Sequence, residues 1–467
     1  MRTLAIAMSA LLAGGCASLS PDGGFGSVNE AVKSRTGRDA AWIRSDQDSD
    51  SVRSRVRELL AQPLTAESAA QVALLNNPGL QARYAELGIA EADLVQASRW
   101  SGPKLSFGRL RRGDETEYER SIFFDVLGLV TIPLSVRGEE KRFEAAKARA
   151  AGEALRLALE ARKAWFGAVA AEEGVRYMRQ VQDAAEAGAE LARRMAAVGN
   201  WSKLSQAREQ AFYAETTAQL ARALQQRTAA RERLVRALGL WGADADLRLP
   251  ERLPELPGAA REGGDLEAQA LAQRLDVQGA RREAEALASS LGLTKVSRFV
   301  NLLELGVIHN TEAPKPAQKG WELELRIPIF DFGEARVARA EHAYLQAVNR
   351  TADAAVRARS EVREHYGAYR TAFDLARHYR DEVVPLRKRI SEEMLLRYNG
   401  MLSSVFELLA ETRVSVMSVN AYIEALRDFW LAESDLQAAL TTGSPGAAAA
   451  GGGKSLAIPA AAAAGAH

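Results

Sequence analysis

One cysteine, five histidines and few aromatic side chains (6%) are found among the 467 residues of this sequence. The single cysteine excludes a disulfide within the chain, and the scattered histidines leave little material for a metal site. After the N-terminal segment no stretch reaches about 18 consecutive apolar residues, which argues against a transmembrane helix. The formal net charge of +1 gives no basic field for nucleic acid. We therefore predict no metal centre and no nucleic-acid partner.

Motifs of common enzyme classes are also missing. The sequence contains no HExxH, no glycine-rich phosphate loop and no nucleophile elbow. We therefore predict no catalytic residue and no cofactor. His309, His342, His365 and His378 are expected to be packing or surface side chains rather than ligands.

The N-terminus has the pattern of a secretory signal peptide over residues 1–15. The apolar run Leu4–Leu12 is followed by small residues and then by Cys16. This pattern resembles a bacterial lipoprotein cleavage site, although Ala13 stands where leucine is usual. The resemblance implies acylation (palmitate) at Cys16 and, because Ala17 rather than aspartate follows, delivery to the outer membrane. An ordinary signal peptide that contains a cysteine is the alternative.

Three other segments lack a sustained period. Residues 16–63 are predicted to form a lipid-anchored tether, with a short helix over 51–62. Residues 248–264 are rich in proline and glycine and are predicted to be a linker, and residues 443–467 a disordered Ala/Gly-rich tail.

The stretch Trp321–Ala340 changes its period in the middle. Alternate positions up to Ile329 are apolar, which is typical of a strand of the length that a tilted membrane strand needs. After Gly333 the composition becomes rich in Glu, Ala and Arg, which favours a helix. This change of period indicates a strand in a bilayer that continues into a helix outside it.

The two halves of the chain, 64–247 and 265–442, follow one plan and predict two internal structural repeats. Each half has an interrupted helix, a strand pair (about 103–134 and 299–330) and two long helices. In the first half the alternation includes Ile122, Phe124, Val126, Val130, Ile132 and Leu134. A proline followed five residues later by a glycine is predicted to turn each strand into a helix. These strand-to-helix turns are Pro133 with Gly138, and Pro328 with Gly333.

Long helices are predicted after each strand pair, over 139–198 and 334–398, the second with a kink at Pro385. The turns Gly199–Asn200 and Gly400–Met401 separate them from the next helices. Residues spaced three and four apart then predict coiled-coil seams, in which small residues let two backbones approach. The seams are Leu204, Ala207, Ala211, Ala214, Ala218 and Ala221, and Val405, Leu409, Thr412, Val416 and Val419.

Four strands cannot close a barrel in lipid, because unpaired edges leave backbone groups unsatisfied. Single-chain barrels begin at about eight strands. If these strands enter the bilayer, several chains must contribute, and three chains of four strands supply twelve. The predicted fold class is therefore mainly α with membrane β, with long antiparallel helices and four transmembrane strands per chain.

Three motifs resemble the TolC-like outer-membrane efflux proteins, also called outer membrane factors, over roughly residues 64–442. The most specific is Leu325–Gly333 (LRIPIFDFG); Arg397–Gly400 leading into Val405–Leu409, and Asn77–Pro78, support it. The resemblance implies a homotrimer in which the four strands of each chain close a twelve-stranded β-barrel across the outer membrane lipid. The long antiparallel helices would form an α-barrel that extends into the periplasm. Such channels join an inner-membrane pump through a periplasmic adaptor protein and conduct solutes passively.

Two sets of candidate site residues follow from this resemblance. Glu407 and Glu411 are predicted to form a ring at the periplasmic aperture, where like charges would raise their pKa values and attract cations. A solvated outer face with two ordinary glutamates is the alternative. The turns Gly199–Asn200 and Gly400–Met401 are predicted to contact the adaptor. The alternative function is a periplasmic coiled-coil scaffold lipoprotein without a channel, and the exported substrate is left open.

Overall fold

The computed structural model describes residues 18–300, 302–312, 315–326 and 332–443. This part of the chain is mainly helical with a small antiparallel sheet, which confirms the mainly α character predicted from the sequence. The predicted signal peptide, Cys16, Pro328 and the tail beyond Gly443 lie outside the described residues. Among the described helices, none combines the length and the apolar character that crossing a membrane requires.

The helices and strands alternate in two similar series along the chain. The first series is α1 (Phe25–Thr36), α2 (Asp46–Leu60), α3 (Ala66–Asn76), α4 (Pro78–Ala97), β1 (Lys104–Arg112), β2 (Glu115–Asp125), α5 (Val126–Ala197) and α6 (Lys203–Leu238). The second is α7 (Leu266–Gln273), α8 (Leu275–Val296), β3 (Leu302–Glu312), β4 (Gln318–Arg326), α9 (Glu334–His378), α10 (Val384–Asn399) and α11 (Val405–Thr441). A π-helical segment, Tyr379–Val383, joins α9 to α10 beside the predicted kink at Pro385.

Residues 18–63 are more structured than the predicted tether with one short helix. Two helices, α1 and α2, occupy this segment. Val28 and Val32 of α1 are buried, as are Val52 and Val56 of α2. Because each of these apolar pairs lies in a strongly polar stretch, the sequence shows too little periodicity to reveal either helix in full.

The motif Asn77–Pro78 lies where α3 meets the end of α6. The Asn77 amide donates to Ala237 O at 3.0 Å, so it satisfies one of the free carbonyls at the end of α6. Gly239 ends this helix with a left-handed φ of 68°, and a Cβ there would lie 2.8 Å from Asn77 Cα. Glycine is therefore required at this position both by its φ and by the close approach.

The first strand-to-helix transition lies earlier than predicted. β2 ends at Asp125 and α5 begins at Val126, so Pro133 and Gly138 lie inside a helix and not at a turn. The Asp125 carboxylate accepts a hydrogen bond from Gly128 N at 2.8 Å and satisfies a free amide of the first helical turn. The alternating apolar residues beyond Val126 also include a set spaced four apart, so the same pattern fits a helix.

The chain divides into two compact units, each built from segments of both predicted repeats. The boundaries of the predicted repeats therefore do not coincide with those of the two units. One unit contains the sheet and comprises the described residues of 18–31, Ala82–Ala151 and Leu275–Val356. The other comprises Val32–Gln81, Gly152–Arg274 and residues 357–443.

The second of these units has an aromatic core. Phe166 stacks on Trp430 with ring centroids 5.1 Å apart, and Phe429 contacts Trp430 edge-on at 5.0 Å. The predicted linker packs here, since the Trp430 indole donates to Pro254 O at 3.1 Å and Leu256 is buried. The linker is thus part of the core and not a free connection.

Candidate functional site

The sheet has the strand order β1–β2–β3–β4, with every neighbouring pair antiparallel. Alternate side chains share a face, and the register places Leu105, Ile122, Val307 and Trp321 in one row across it. This row is exposed in the single chain, with 72% of Leu105 and 75% of Trp321 accessible. We call the apolar half of this face the apolar band; it consists of Leu105, Phe107, Ile122, Phe124, Leu303, Leu305, Val307, Trp321, Leu323 and Leu325. An apolar surface of this extent indicates contact with lipid or protein.

The opposite side of the sheet, which we call the acidic face, carries most of its charge. Lys104 lies 3.8 Å from Glu304 and 5.7 Å above the Phe123 ring. Phe123 in turn covers Gly306, where an added Cβ would lie 2.5 Å from the ring. Within the described ranges no group of three or more His, Cys, Asp or Glu side chains is placed to hold a metal ion. The acidic residues of this face are Glu115, Glu117, Glu119, Asp125, Glu304, Glu312, Glu322 and Glu324.

β1 and β4 form the edges of the sheet. In the described part of the chain each of them pairs with one neighbour, so one row of backbone donors and acceptors on each is left unpaired. Such edges favour pairing with another chain. In lipid, where water cannot hydrogen-bond these groups, the sheet requires further strands at both edges.

Gly333 lies between β4 and α9. Its φ of 73° is in the left-handed region, and its carbonyl accepts from Val337 N at 3.0 Å to start the helix. A Cβ at this position would lie 3.1 Å from Arg298 O. Backbone conformation and close packing therefore both favour glycine at this strand-to-helix turn.

The turn between α5 and α6 uses a glycine in the left-handed region. Gly199 has a φ of 77°, and Asn200 N donates to Met195 O at 3.0 Å. This is the arrangement by which helices commonly satisfy their last carbonyls. Ser202 then caps the start of α6, and its hydroxyl accepts from Ser205 N at 3.0 Å.

The turn between α10 and α11 is built differently. Met401, and not Gly400, is left-handed, with a φ of 59° against −80° for the glycine. Leu402 N donates to Arg397 O at 2.8 Å, which holds the turn closed. A left-handed methionine is uncommon, and here it exposes 94% of Met401 and 81% of Leu402. The turn therefore leaves two apolar side chains exposed in the single chain.

Glu407 and Glu411 have different surroundings in the single chain. The Glu407 carboxylate accepts from Ser404 N at 2.9 Å and from the Ser403 hydroxyl at 2.8 Å, and these bonds lower its pKa. Glu411 is largely buried and lies 3.7 Å from Arg387. Within one chain, Glu407 thus takes part in capping α11, and its pKa is lowered. Repulsion within a ring of glutamates would raise this pKa instead. The ring itself stays a prediction about the assembled protein.

An ion pair that the sequence analysis missed joins α6 to α11. Glu209, only 6% exposed, contacts Arg413, whose guanidinium lies 3.9 Å from the centre of the Phe212 ring. By contrast, every alanine of the predicted seam on α6 is exposed. Glu209, Phe212 and the buried Thr216 are spaced three and four apart. This spacing was the available signal for the packed face, but the charge at Glu209 hides it.

Solved structures with this fold include outer-membrane channels. The outer membrane protein VceC of Vibrio cholerae is 16% identical, with a TM-score of 0.67 over 81% of this chain and 96% of that chain. The CmeC outer membrane channel of Campylobacter jejuni is 16% identical, with a TM-score of 0.66 over 80% of this chain and 85% of that chain. The MtrE outer membrane channel of Neisseria gonorrhoeae is 17% identical, with a TM-score of 0.66 over 81% and 89%.

These likenesses are of structure. No protein-family model and no curated protein matches the sequence. The chain nevertheless has the fold of the TolC-like outer-membrane efflux channels, and the resemblance predicted from the sequence motifs is confirmed at the level of the fold of one chain.

Proposed function

We propose that this chain is one subunit of a homotrimeric outer-membrane channel, the passive conduit of a tripartite efflux system. The observation that carries the proposal is the sheet, which combines an exposed apolar band, an acidic opposite face and two unpaired edges. Three copies of four strands would satisfy every edge and make a barrel of twelve strands. The apolar band would contact lipid, and the acidic face would line the pore. The fold shared with outer-membrane channels supports this arrangement.

The exposed alanines of α6 support assembly from several copies. Ala207, Ala211, Ala214 and Ala218 form a stripe of small side chains that the described residues of the chain leave exposed. Small residues let two helix backbones approach closely. In a homotrimer, a helix of the neighbouring copy would cover this stripe and extend the pore as an α-barrel into the periplasm.

The helix turns are the proposed contact with a periplasmic adaptor. Gly199–Asn200 and Gly400–Met401 each join two helices, and Met401 and Leu402 are 94% and 81% exposed in the second turn. The adaptor would connect the channel to an inner-membrane pump that supplies the energy. Acylation of Cys16 would anchor the N-terminus in the outer membrane.

Disulfide trapping between copies tests the barrel. Cys16 is the one natural cysteine, so replacing it with serine provides a cysteine-free background. Ser106→Cys on β1 is then combined in turn with Gly320→Cys, Glu322→Cys or Glu324→Cys on β4. Mild oxidation is expected to give covalent dimers and trimers for at least one pair, because β1 of one copy lies beside β4 of the next. Ser106→Cys alone is the control, and monomer for every pair would contradict the closed barrel.

Conductance separates the channel from the scaffold alternative. Purified protein in planar bilayers is expected to give stepwise ion conductance and to run as heat-sensitive oligomers in SDS. A scaffold would show neither property and would be released from membranes by removal of its lipid anchor. That outcome would exclude the channel.

A further inference from the structure

The face of the sheet that carries the apolar band becomes basic towards the hairpin turns. Phe107 and Trp321 are the last large apolar side chains on this face. From the row of Phe107 towards the turns, the register places basic residues in three successive rows. We call this set the basic belt; it consists of Arg120, His309 and Lys319, then Arg109, then Arg111.

The positive charge of the belt is not balanced on its own face. Arg109, Arg111, Arg120 and Lys319 are exposed, and within the described strands none of the four forms an ion pair. Arg109 lies over the ring of Tyr118 at 5.8 Å. The described strands carry all their acidic residues on the opposite face. The belt therefore gathers four unpaired cations, and an anionic partner would relieve their mutual repulsion.

The position of the belt restricts what that partner is. Aromatic side chains mark the interface between hydrocarbon and water on membrane barrels, and Trp321, Phe107 and Tyr118 lie where the apolar band ends. The three basic rows span about 14 Å along the strands, since each row adds two residues. This height places the cations at the level of lipid phosphates directly above the hydrocarbon.

We infer that the basic belt binds the phosphate groups of the phosphorylated glycolipid in the outer leaflet of the outer membrane. The inference rests on the proposed function, because it takes the apolar band to be the lipid-contacting surface. Clusters of Lys and Arg at a membrane surface attract anionic lipid head groups, and arginine binds phosphate through two parallel hydrogen bonds. A soluble anion would have no reason to need cations adjoining an apolar band, whereas a lipid uses both surfaces at once.

The test compares lipids with and without phosphate. Purified detergent-solubilised protein is titrated with bisphosphorylated lipid A or with its dephosphorylated form, and bound lipid is counted by native mass spectrometry. The wild type is expected to prefer the phosphorylated lipid by about tenfold or more. Equal binding of the two lipids would overturn the inference. Displacement of the phosphorylated lipid by excess inorganic phosphate would assign the site to a free anion and would overturn it as well.

A pair of matched variants locates the binding. R109Q/R120Q removes two cations from the belt, and K104Q/R326Q removes two cations from the acidic face of the same sheet. We expect the first variant to lose most of the preference for phosphate and the second to keep it. R109K/R120K retains the charge and is expected to keep the preference even if the glutamine variant does not fold. The same effect of both glutamine variants, or loss in the lysine variant, would contradict the assignment.

Conductance of the same preparations separates this inference from the proposed function. If the wild type conducts in planar bilayers but binds both lipids equally, the channel proposal stands and the lipid-binding role of the basic belt is refuted. A wild type that neither inserts nor conducts refutes the channel and, with it, the lipid contact.

Discussion

At the scale of single residues, two buried tyrosines differ in what their hydroxyl groups contact. Tyr84 packs edge-on against Phe25 at 4.8 Å, and among the described residues its hydroxyl has no hydrogen-bond partner. Burial raises its pKa well above the usual range. The hydroxyl of Tyr369, in contrast, accepts from Arg261 N at 2.8 Å. The sequence does not distinguish the two tyrosines, because a hydrogen-bond partner from a distant segment leaves no pattern in the neighbouring residues.

Replacing each tyrosine by phenylalanine is expected to have opposite effects. Tyr84→Phe removes a buried group that makes no bond, so stability is expected to stay equal or rise by about 1 kcal/mol. Tyr369→Phe leaves the Arg261 amide without its acceptor and is expected to cost about 1 kcal/mol. Thermal unfolding of the two variants in detergent provides the comparison. A cost for Tyr84→Phe as large as that for Tyr369→Phe would show that its hydroxyl has a partner.

Glu433 provides a prediction on pH dependence. Burial raises its pKa above the usual 4.5, and Arg162, 3.8 Å away, only partly opposes this shift. Below that usual value Glu433 is protonated in both the folded and the unfolded state. As the pH rises, the unfolded state releases its proton first, so stability falls between the usual pKa and the raised one.

Glu433→Gln is expected to remove this loss. Unfolding measured at about pH 4 and about pH 7 should show a smaller decrease in stability for the variant than for the wild type. Glu392→Gln, at an exposed position of α10, is the control and is expected to leave the pH dependence unchanged. The same pH dependence in wild type and Glu433→Gln would contradict the raised pKa.

At the scale of elements, the sequence locates the segments better than the boundaries. The glycine turn at Gly199, the interruption at Asn77 and the turn at Gly333 have local chemical causes, and they were predicted from local sequence. The end of β2 is ambiguous in the sequence, because the apolar residues after Phe124 fit both the spacing of a strand and the spacing of a helix. Pro133 led to the prediction that the strand continues to that residue. In the structure the helix starts earlier, because the Asp125 carboxylate caps the amide of Gly128, three residues later.

Two substitutions test where this helix begins. Asp125→Ala removes the cap and is expected to cost about 1 kcal/mol. Pro133 lies inside α5 and lacks an amide hydrogen, so Pro133→Ala is expected to stabilise the protein by about 1–3 kcal/mol. Thermal unfolding in detergent measures both effects. A neutral Asp125→Ala together with a destabilising Pro133→Ala would place the strand-to-helix turn at the proline instead.

At the scale of the whole molecule, the sequence led to a hypothesis about several copies, and that hypothesis stays a prediction. Alternating apolar residues in four segments predicted an open sheet of four strands. Because the edges of an open sheet would be unpaired in lipid, the sheet in turn predicted an assembly of several copies. The face of α6 that packs within the chain was not predicted, because the charged Glu209 interrupts its apolar spacing. The alanines of α6 have the spacing of a packed seam but are exposed. Residues that pack between copies and residues that pack within one chain have the same composition, so sequence alone does not separate them.

The acidic face leads to a prediction about ion selectivity. If three copies close the barrel, this face lines the pore, and rings of carboxylates favour cations over anions. Glu119 and Glu322 are exposed on it, and Glu324 is half-buried. E119Q/E322Q/E324Q is therefore expected to reduce the preference for cations, measured as the reversal potential across a gradient of potassium chloride.

The aspartate variant E119D/E322D/E324D keeps the charge and is the matched control. It is expected to retain the selectivity of the wild type, because the sign of the pore potential depends on charge more than on side-chain length. High salt should weaken the selectivity of both wild type and control, since screening shortens the reach of exposed carboxylates. Selectivity unchanged in the glutamine variant would mean that this face does not line the conducting path, even if the protein conducts.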